Sequence, residues 1–286
     1  MPSLKHVKRR ITSVRSIKQI TKAMDLVAAS KLYRLKPMLA SARDLYKGAK
    51  EMIEDAAGFV EAGGSIYAAG RDPATGAVYI VMSSDRGLCG GYNTGAAKLA
   101  ISHMSENGLR GQVIAIGSRG AGYLNRQGKE IISRNSMPVP PSYKQAQVMA
   151  RQVLAGYMSG KYSEVYIAFT RFITTISNQP ELVKILPIDT ASYSAPPRKL
   201  TEEVEYEPAP ATFLDSAVPT YLEMMIYGAL VEAAICEQAS RVVSMSAATR
   251  NAEEIIEKLT LSYNRTRQGI ITQEINEIVS GANALK

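Results

Sequence analysis

The last 66 residues, from 221 to 286, contain no proline, and they close on I-T-x-E-x-x-E-x-x-x-G-A-N-A over 271–284. A helix over 221–281 would be about 90 Å long at about 1.5 Å per residue, roughly three times the width of a small domain. A compact domain cannot bury such a helix along its whole length. The stretch therefore predicts a rod with a small-residue, sparsely charged tip that is inserted into something else.

The N-terminal segment supplies a partner for it. Leu4, Val7, Ile11, Val14, Ile17, Ile20 and Met24 recur at spacings of three and four, and Ala28, Leu32, Leu35, Leu39, Ala42, Tyr46 and Ala49 continue past them to Ile53. This is the rhythm of a coiled-coil seam. On the C-terminal side Val242, Met245, Ala248, Ala252, Ile255, Leu259 and Ser262 repeat it, with small residues that let two backbones approach. Helices so far apart in sequence are expected to pair antiparallel. Pro37 falls inside the first helix, where proline costs about 3 kcal/mol, so a kink or break is expected near Lys36.

Between the two helices the period changes. Residues 77–82, 112–117, 130–133, 164–169 and 182–188 read as short strands, several of them apolar throughout, and 94–107 and 143–158 read as helices. Alternation of this kind predicts a small Rossmann-like α/β domain with a mostly parallel sheet. The fold class is thus α/β: a long antiparallel coiled coil with that domain inserted. The expected segments are 1–60, 75–205 and 211–286. Pro196 and Pro197, then Glu202, Glu203, Glu205 and Glu207, then Pro208 and Pro210, mark a connecting stretch before the last helix.

The formal charge of +8 is concentrated, because basic residues crowd the first 50 positions against only Asp25 and Asp44. Such a helix expects acidic surroundings. Cys89 and Cys236 form no metal or C-x-x-C spacing, and a reducing compartment is the simplest reading. The basic start runs into R-R-I-T-S-V-R and not into an apolar block, so no signal peptide is read there. The apolar run 224–231 is far short of the ~20 residues of a membrane span, and the chain is expected to be soluble.

Two glycine-rich turns raise the question of nucleotide binding. S-S-D-R-G-L-C-G-G-Y-N over 83–93 lacks the lysine and hydroxyl of a phosphate loop. I-G-S-R-G-A-G-Y over 116–123 has its glycines in the order G-x-x-G-x-G, with no acid about twenty positions on to hold a ribose. Both read as packing turns. His6 and His103 read as solvated, Cys89 as a small buried residue in a turn and Cys236 as helix packing. Catalytic chemistry, metal ligation and cofactor binding are not expected.

Four stretches together resemble the gamma subunit of F-type ATP synthases. They are V-K-R-R-I-T-S-V-R-S-I-K-Q-I-T-K-A-M-D-L-V-A-A-S-K-L (7–32), S-D-R-G-L-C-G-G-Y-N (84–93), E-Q-A-S-R-V-V-S-M-S-A-A-T-R-N-A (237–252) and L-S-Y-N-R-T-R-Q-G-I-I-T-Q-E-I-N-E-I-V-S-G-A-N-A-L (261–285). The resemblance covers the whole chain, and the two terminal stretches are its most specific parts.

What it implies is a central rotor shaft. The two helices would turn inside a ring of three alpha and three beta subunits, with the α/β domain at the foot beside the epsilon subunit and the membrane ring of c subunits. Ion flow, of protons or of Na+, would be coupled to ATP synthesis at the beta subunits, with no catalytic group on this chain. By motif match, Arg9, Arg10, Lys18 and Lys22 would face acidic loops of beta subunits, and Met24 would sit where rotor and stator slide. Arg267, Gln268, Thr272 and Glu274 would make polar contacts at the upper shaft, with Arg241 lower on the same helix, and Tyr206 and Glu207 would meet the c ring and epsilon. The implied location is the cytoplasmic side of the cell membrane, peripheral, in a bacterial complex without thiol regulation. Two other readings stand beside it. A basic coiled coil could bind nucleic acid, although its charges are interspersed along the seam and aromatic residues are sparse there. A dinucleotide enzyme would need a ribose-binding acid that the sequence does not supply.

Overall fold

A computed structural model of the chain describes residues 4–60, 64–68, 76–189 and 207–284. The elements in chain order are α1 (Leu4–Ala57), β1 (Ala77–Met82), α2 (Tyr92–Glu106), β2 (Gly111–Ile116), α3 (Ser118–Arg126), β3 (Glu130–Asn135), α4 (Tyr143–Met158), β4 (Glu164–Phe172), β5 (Asn178–Leu186) and α5 (Pro210–Ala284). The chain divides into two compact units, one of residues 1–28 with 242–286 and one of residues 29–241.

In the larger unit the five strands lie in the order β3-β2-β1-β4-β5. β1 runs parallel to both β2 and β4, β2 is parallel to β3, and β5 is antiparallel to β4. All six residues of β1 are buried because it is covered on both faces. Its alternate side chains enter two different cores. Val78, Ile80 and Met82 pack with Leu39 and Ala42 of α1, Val153 of α4 and Leu222 and Ile226 of α5. Tyr79 and Val81 pack with Ala96 and Ala100 of α2 and Ala121 and Leu124 of α3. This is a three-layer α/β/α arrangement.

α5 forms the core of this unit, and residues 228–239 are buried without interruption. By length and composition part of α5 matches a membrane span, yet 72% of that window is buried inside the protein. It is a core helix that owes its apolar character to being enclosed. Gly228 lets α1 come close, since a Cβ there would lie 2.5 Å from Tyr46 Cδ1.

The break expected at Pro37 is absent, and α1 runs through it from Leu4 to Ala57. Pro37 is exposed, so the carbonyl that its ring leaves without a helical donor faces water. On the opposite face Leu32, Leu35, Leu39 and Ala42 are buried and hold the helix in line. α5 likewise contains Pro219 and begins at Pro210, next to the start of the expected segment 211–286.

In the smaller unit, residues 4–28 of α1 pair antiparallel with α5 from 242 to about 266. Lys18 Nζ lies 2.8 Å from Glu253 Oε1, the Thr21 and Thr249 hydroxyls are 2.8 Å apart, and Ser246 Oγ donates to Asp25 Oδ2 at 2.8 Å. The phase of the seam differs from the one expected. The inward positions of α1 run through Val7, Ile11, Val14, Lys18, Thr21, Asp25 and Ala28, a strict alternation of four and three. Ile17, Ile20 and Met24 lie beside this seam, at 50%, 54% and 39% exposure. On α5 the inward positions are Met245, Thr249, Ala252, Ile256, Leu259, Tyr263 and Thr266, while Ile255 and Ser262 are exposed.

Candidate functional site

The carboxyl end of β1 is the place to look for a ligand, because β2 lies on one side of it and β4 on the other. In open α/β sheets that change of direction opens a crevice. Here the chain's own side chains fill it. Asp85 Oδ1 accepts both the backbone N–H and the hydroxyl of Ser118, at 2.8 and 2.7 Å, and Oδ2 accepts the Met137 N–H at 2.9 Å. The carboxylate therefore occupies the N-terminus of α3, where a phosphate would bind in a nucleotide-binding fold. Burial pushes its pKa up, but the three hydrogen bonds outweigh that and hold it below the ordinary value.

The packing around Asp85 is equally closed. Ser83 Oγ accepts the Gly120 N–H at 3.0 Å and donates to the Ile116 carbonyl at 2.8 Å. A Cβ on Gly117 or Gly120 would come within 2.4 Å of an atom of Ser83, which explains both glycines. The second glycine-rich stretch is thus a tight turn that opens helix α3, an element the sequence reading missed. Asn93 Oδ1 accepts the Ser84 N–H at 2.9 Å, and Asn93 Nδ2 lies 3.0 Å from Cys89 Sγ. Cys89 and Cys236 are both buried against Tyr92, and burial pushes both thiols above their ordinary range. The turn at 83–93 is a packing device, as its residues imply.

His103 is not solvated as expected. Its Nδ1 lies 2.8 Å from the Tyr79 hydroxyl, and its ring packs against those of Tyr79 and Tyr166 at 5.8 and 4.7 Å between centroids. His6 is exposed on α1. Among the described residues no group of three or more His, Cys, Asp or Glu is placed to hold a metal ion.

The residues singled out by motif fall into distinct sets. Arg9, Arg10 and Lys22 are exposed on α1. Lys18 turns inward instead and pairs with Glu253, and that pairing, aided by nearby Lys22, lowers the Glu253 pKa. Arg241 is also committed within the chain, lying 2.8 Å from Glu237 and reaching Gln238 Oε1 and the Gly87 carbonyl. Glu207 is exposed, and Tyr206 lies outside the described residues.

Two exposed stripes remain. On α1, Arg10, Ile17, Ile20, Met24 and Val27 follow one another at spacings of seven, three, four and three, so they form a second stripe beside the seam. On α5, residues 267–280 are exposed on every face. Continued outward at equal rise per residue, the pairing register brings Leu4 level with about residue 267, so α5 extends past the start of α1. At about 100° per residue Ile271, Ile275 and Ile278 share one strip of this extension, with Arg267 and Glu274 along one border and Gln268 and Thr272 along the other. Ile278 is 71% exposed. Thr272 Oγ1 donates to the Gln268 carbonyl at 2.9 Å, which fixes its rotamer. The polar members of this patch were legible by motif match, whereas the isoleucines read only as part of the rod; their spacing of four and three was the available signal.

A family model described as ATP synthase matches residues 3–285. The ATP synthase gamma chain of Alkaliphilus metalliredigens is 40% identical, with 99% of each chain covered. The chain belongs to the ATP synthase gamma chain family. Another member of the gamma chain family, the sodium ion specific one of Acetobacterium woodii, is 36% identical over 99% of both chains. Among solved structures, a chain of the Euglena gracilis mitochondrial ATP synthase, in an assembly of OSCP, F1 and c-ring, superimposes with a TM-score of 0.68 at 17% identity. That match covers 99% of this chain and 94% of the other. A chain from the central stalk and c-ring of the Tetrahymena thermophila enzyme gives 0.61 at 23%, covering 80% and 99%. These likenesses show a shared fold over 80% and 99% of this chain.

Proposed function

We propose that this chain is the central rotor shaft of an F-type ATP synthase, coupling proton or Na+ flow through the membrane sector to ATP synthesis and hydrolysis at the beta subunits, and regulating that ATPase activity. The observation that carries the reading is full-length membership of the gamma chain family together with a helix pair that leaves two apolar stripes uncovered. Stripes of this kind call for surrounding partners. The partners are three alpha and three beta subunits around the shaft, with the epsilon subunit and the c ring at the foot. The chain is non-catalytic, takes no cofactor and does not bind nucleic acid, and it sits on the cytoplasmic side of the cell membrane through the complex. The segments 1–60 and 211–286 form the shaft, and 75–205 the foot.

In this reading Arg9, Arg10 and Met24 meet the stator along the first stripe, Lys22 meets it from the opposite flank of the seam, and Arg267, Gln268, Thr272 and Glu274 meet one beta subunit along the borders of the second. An asymmetric shaft that contacts one beta subunit at a time changes nucleotide affinity by differential contacts in each orientation. Lys18 and Arg241 contribute from inside, through Glu253 and Glu237. Tyr206 and Glu207 contact the c ring and epsilon.

Co-assembly tests the proposal. Mixed with the alpha and beta subunits of its own source, the chain should elute from size exclusion at one copy per hexameric ring, and vesicles carrying the full complex should pump ions on addition of ATP. Failure to enter the ring, or equal pumping by a complex lacking the chain, would overturn it.

A further inference from the structure

The Glu232 side chain has no exposed surface, yet it carries a carboxylate in the most enclosed part of α5. Its Oε1 accepts Arg43 Nε at 2.7 Å, and its Oε2 accepts Arg43 Nη2 at 3.1 Å and the Phe172 N–H at 2.7 Å. Arg43 Nη2 also donates to the Phe172 carbonyl. One residue of α1 and one of α5 therefore close on both backbone polar groups of the last residue of β4. The hydrogen-bonded Glu232 carboxylate holds the Arg43 guanidinium above its ordinary pKa although burial opposes this.

More directional contacts lie along the same part of α5. Tyr92 OH donates to the Ala233 carbonyl at 2.8 Å, Cys236 Sγ to the Thr170 carbonyl at 3.2 Å, and Asn178 Nδ2 to Ser240 Oγ at 3.1 Å. Through these bonds α5 grips α2, the end of β4 and the start of β5.

Stability alone does not explain a carboxylate buried at Glu232 and paired with the partly exposed Arg43, since well-packed apolar residues in place of such a pair are often as stable or more so. Apolar contact resists separation but sets no sharp angle, whereas a hydrogen bond weakens steeply when its geometry is disturbed. A bidentate guanidinium and carboxylate pair is the most demanding of these contacts.

We infer that Arg43, Glu232 and the Phe172 peptide form a torsion joint, which fixes the angle of α1 and α5 about their own axes against the sheet so that turning the sheet turns both helices. The inference rests on the shaft reading above. Arg43 and Glu232 are positioning residues that act through the helices.

The test uses the full complex in vesicles, reading ions pumped per ATP hydrolysed. Arg43→Met with Glu232→Met replaces the pair by apolar side chains and should assemble and hydrolyse ATP while losing most of its pumping per ATP. Glu232→Gln, which keeps the volume and part of the acceptor set, should show a smaller loss. A pair that serves packing alone predicts wild-type pumping per ATP in the double variant, and that result overturns the joint. Should the double variant fail to assemble, Glu232→Gln decides: an unchanged ratio overturns the joint and a reduced one supports it. A wild-type complex that does not pump overturns the shaft reading instead, so the two failures are distinct.

Discussion

Thr21 and Thr249 meet hydroxyl to hydroxyl at 2.8 Å in a layer of the helix pair where apolar side chains are the rule. On either side of it α1 turns Lys18 and Asp25 inward, which pair with Glu253 and Ser246 at the flank of the α5 seam, so three successive seam positions of α1 are polar. Polar layers in a coiled coil fix the register at a cost in stability. Replacing Thr21 and Thr249 together by valine should therefore stabilise the isolated chain by about 1 kcal/mol. Thermal unfolding measures this, and a lower midpoint in the double variant would show the hydroxyl pair to be net stabilising.

Asp85→Asn should destabilise the larger unit by about 2 kcal/mol at neutral pH, because it removes the charge from three hydrogen bonds at the start of α3. The sign of the pH dependence follows from the lowered pKa of Asp85. A carboxylate depressed in the folded state contributes stability above its unfolded value, and that contribution is lost as pH falls through the folded value. The gap between wild type and variant should thus shrink below about pH 4. Urea unfolding at pH 7 and pH 3 compares the two, and an equal gap at both would show that the charge of Asp85 is not what matters.

The long helices were legible because their periodicity persists over many turns, and so was the parallel sheet, because its strands are apolar on both faces. The phase of the seam was not legible. Ile17, Ile20 and Met24 are more apolar than Lys18, Thr21 and Asp25, so hydrophobicity alone drew the seam onto a neighbouring stripe; only the pairing of each polar residue with one on α5 identifies the true one. Helix α3 was hidden by its glycines, whose reason is the tertiary contact with Ser83. Pro37 misled because its cost depends on whether the freed carbonyl meets water. At the candidate site, motif spacing marked Arg241, but its burial against Glu237 required the fold.

Gly228 and Gly269 lie on the same helix and should respond to alanine in opposite ways. Gly228→Ala drives a methyl toward the Tyr46 ring and should cost about 1–3 kcal/mol through overpacking. Gly269 has no atom within 4 Å of a new Cβ, so Gly269→Ala should stabilise the isolated chain by about 1 kcal/mol through helix propensity. Melting followed by circular dichroism ranks the two, and a destabilised Gly269→Ala would contradict the exposure of that face.

Arg267 and Gln268 are exposed, so replacing both by alanine should leave the melting of the isolated chain unchanged. In the reconstituted complex the same variant should slow ATP turnover about tenfold, the loss expected when hydrogen bonds to charged partners disappear. Deleting the chain from Ala282 onward should cost less. Steady-state ATPase rates give the order, and a crippling truncation beside a normal double variant would move the coupling contact away from Arg267 and Gln268.

The extension of α5 beyond the start of α1 has a thermodynamic consequence for assembly. Residues 267–280 carry no tertiary burial, and a helical segment of about a dozen residues is marginal in water on its own. Fixing each backbone residue costs about 1–2 kcal/mol, so a tip that unwinds in the free chain would have to be rewound by whatever encloses it, and the observed affinity would be weaker than the contacts imply. Because α5 continues inward as a buried helix, the tip adds turns to an existing nucleus and avoids the unfavourable first step. The free tip is therefore expected to fray from its end and to have its order completed by enclosure, and amide exchange at Ile271, Ile275 and Ile278 should slow sharply on assembly while the core of α5 hardly changes.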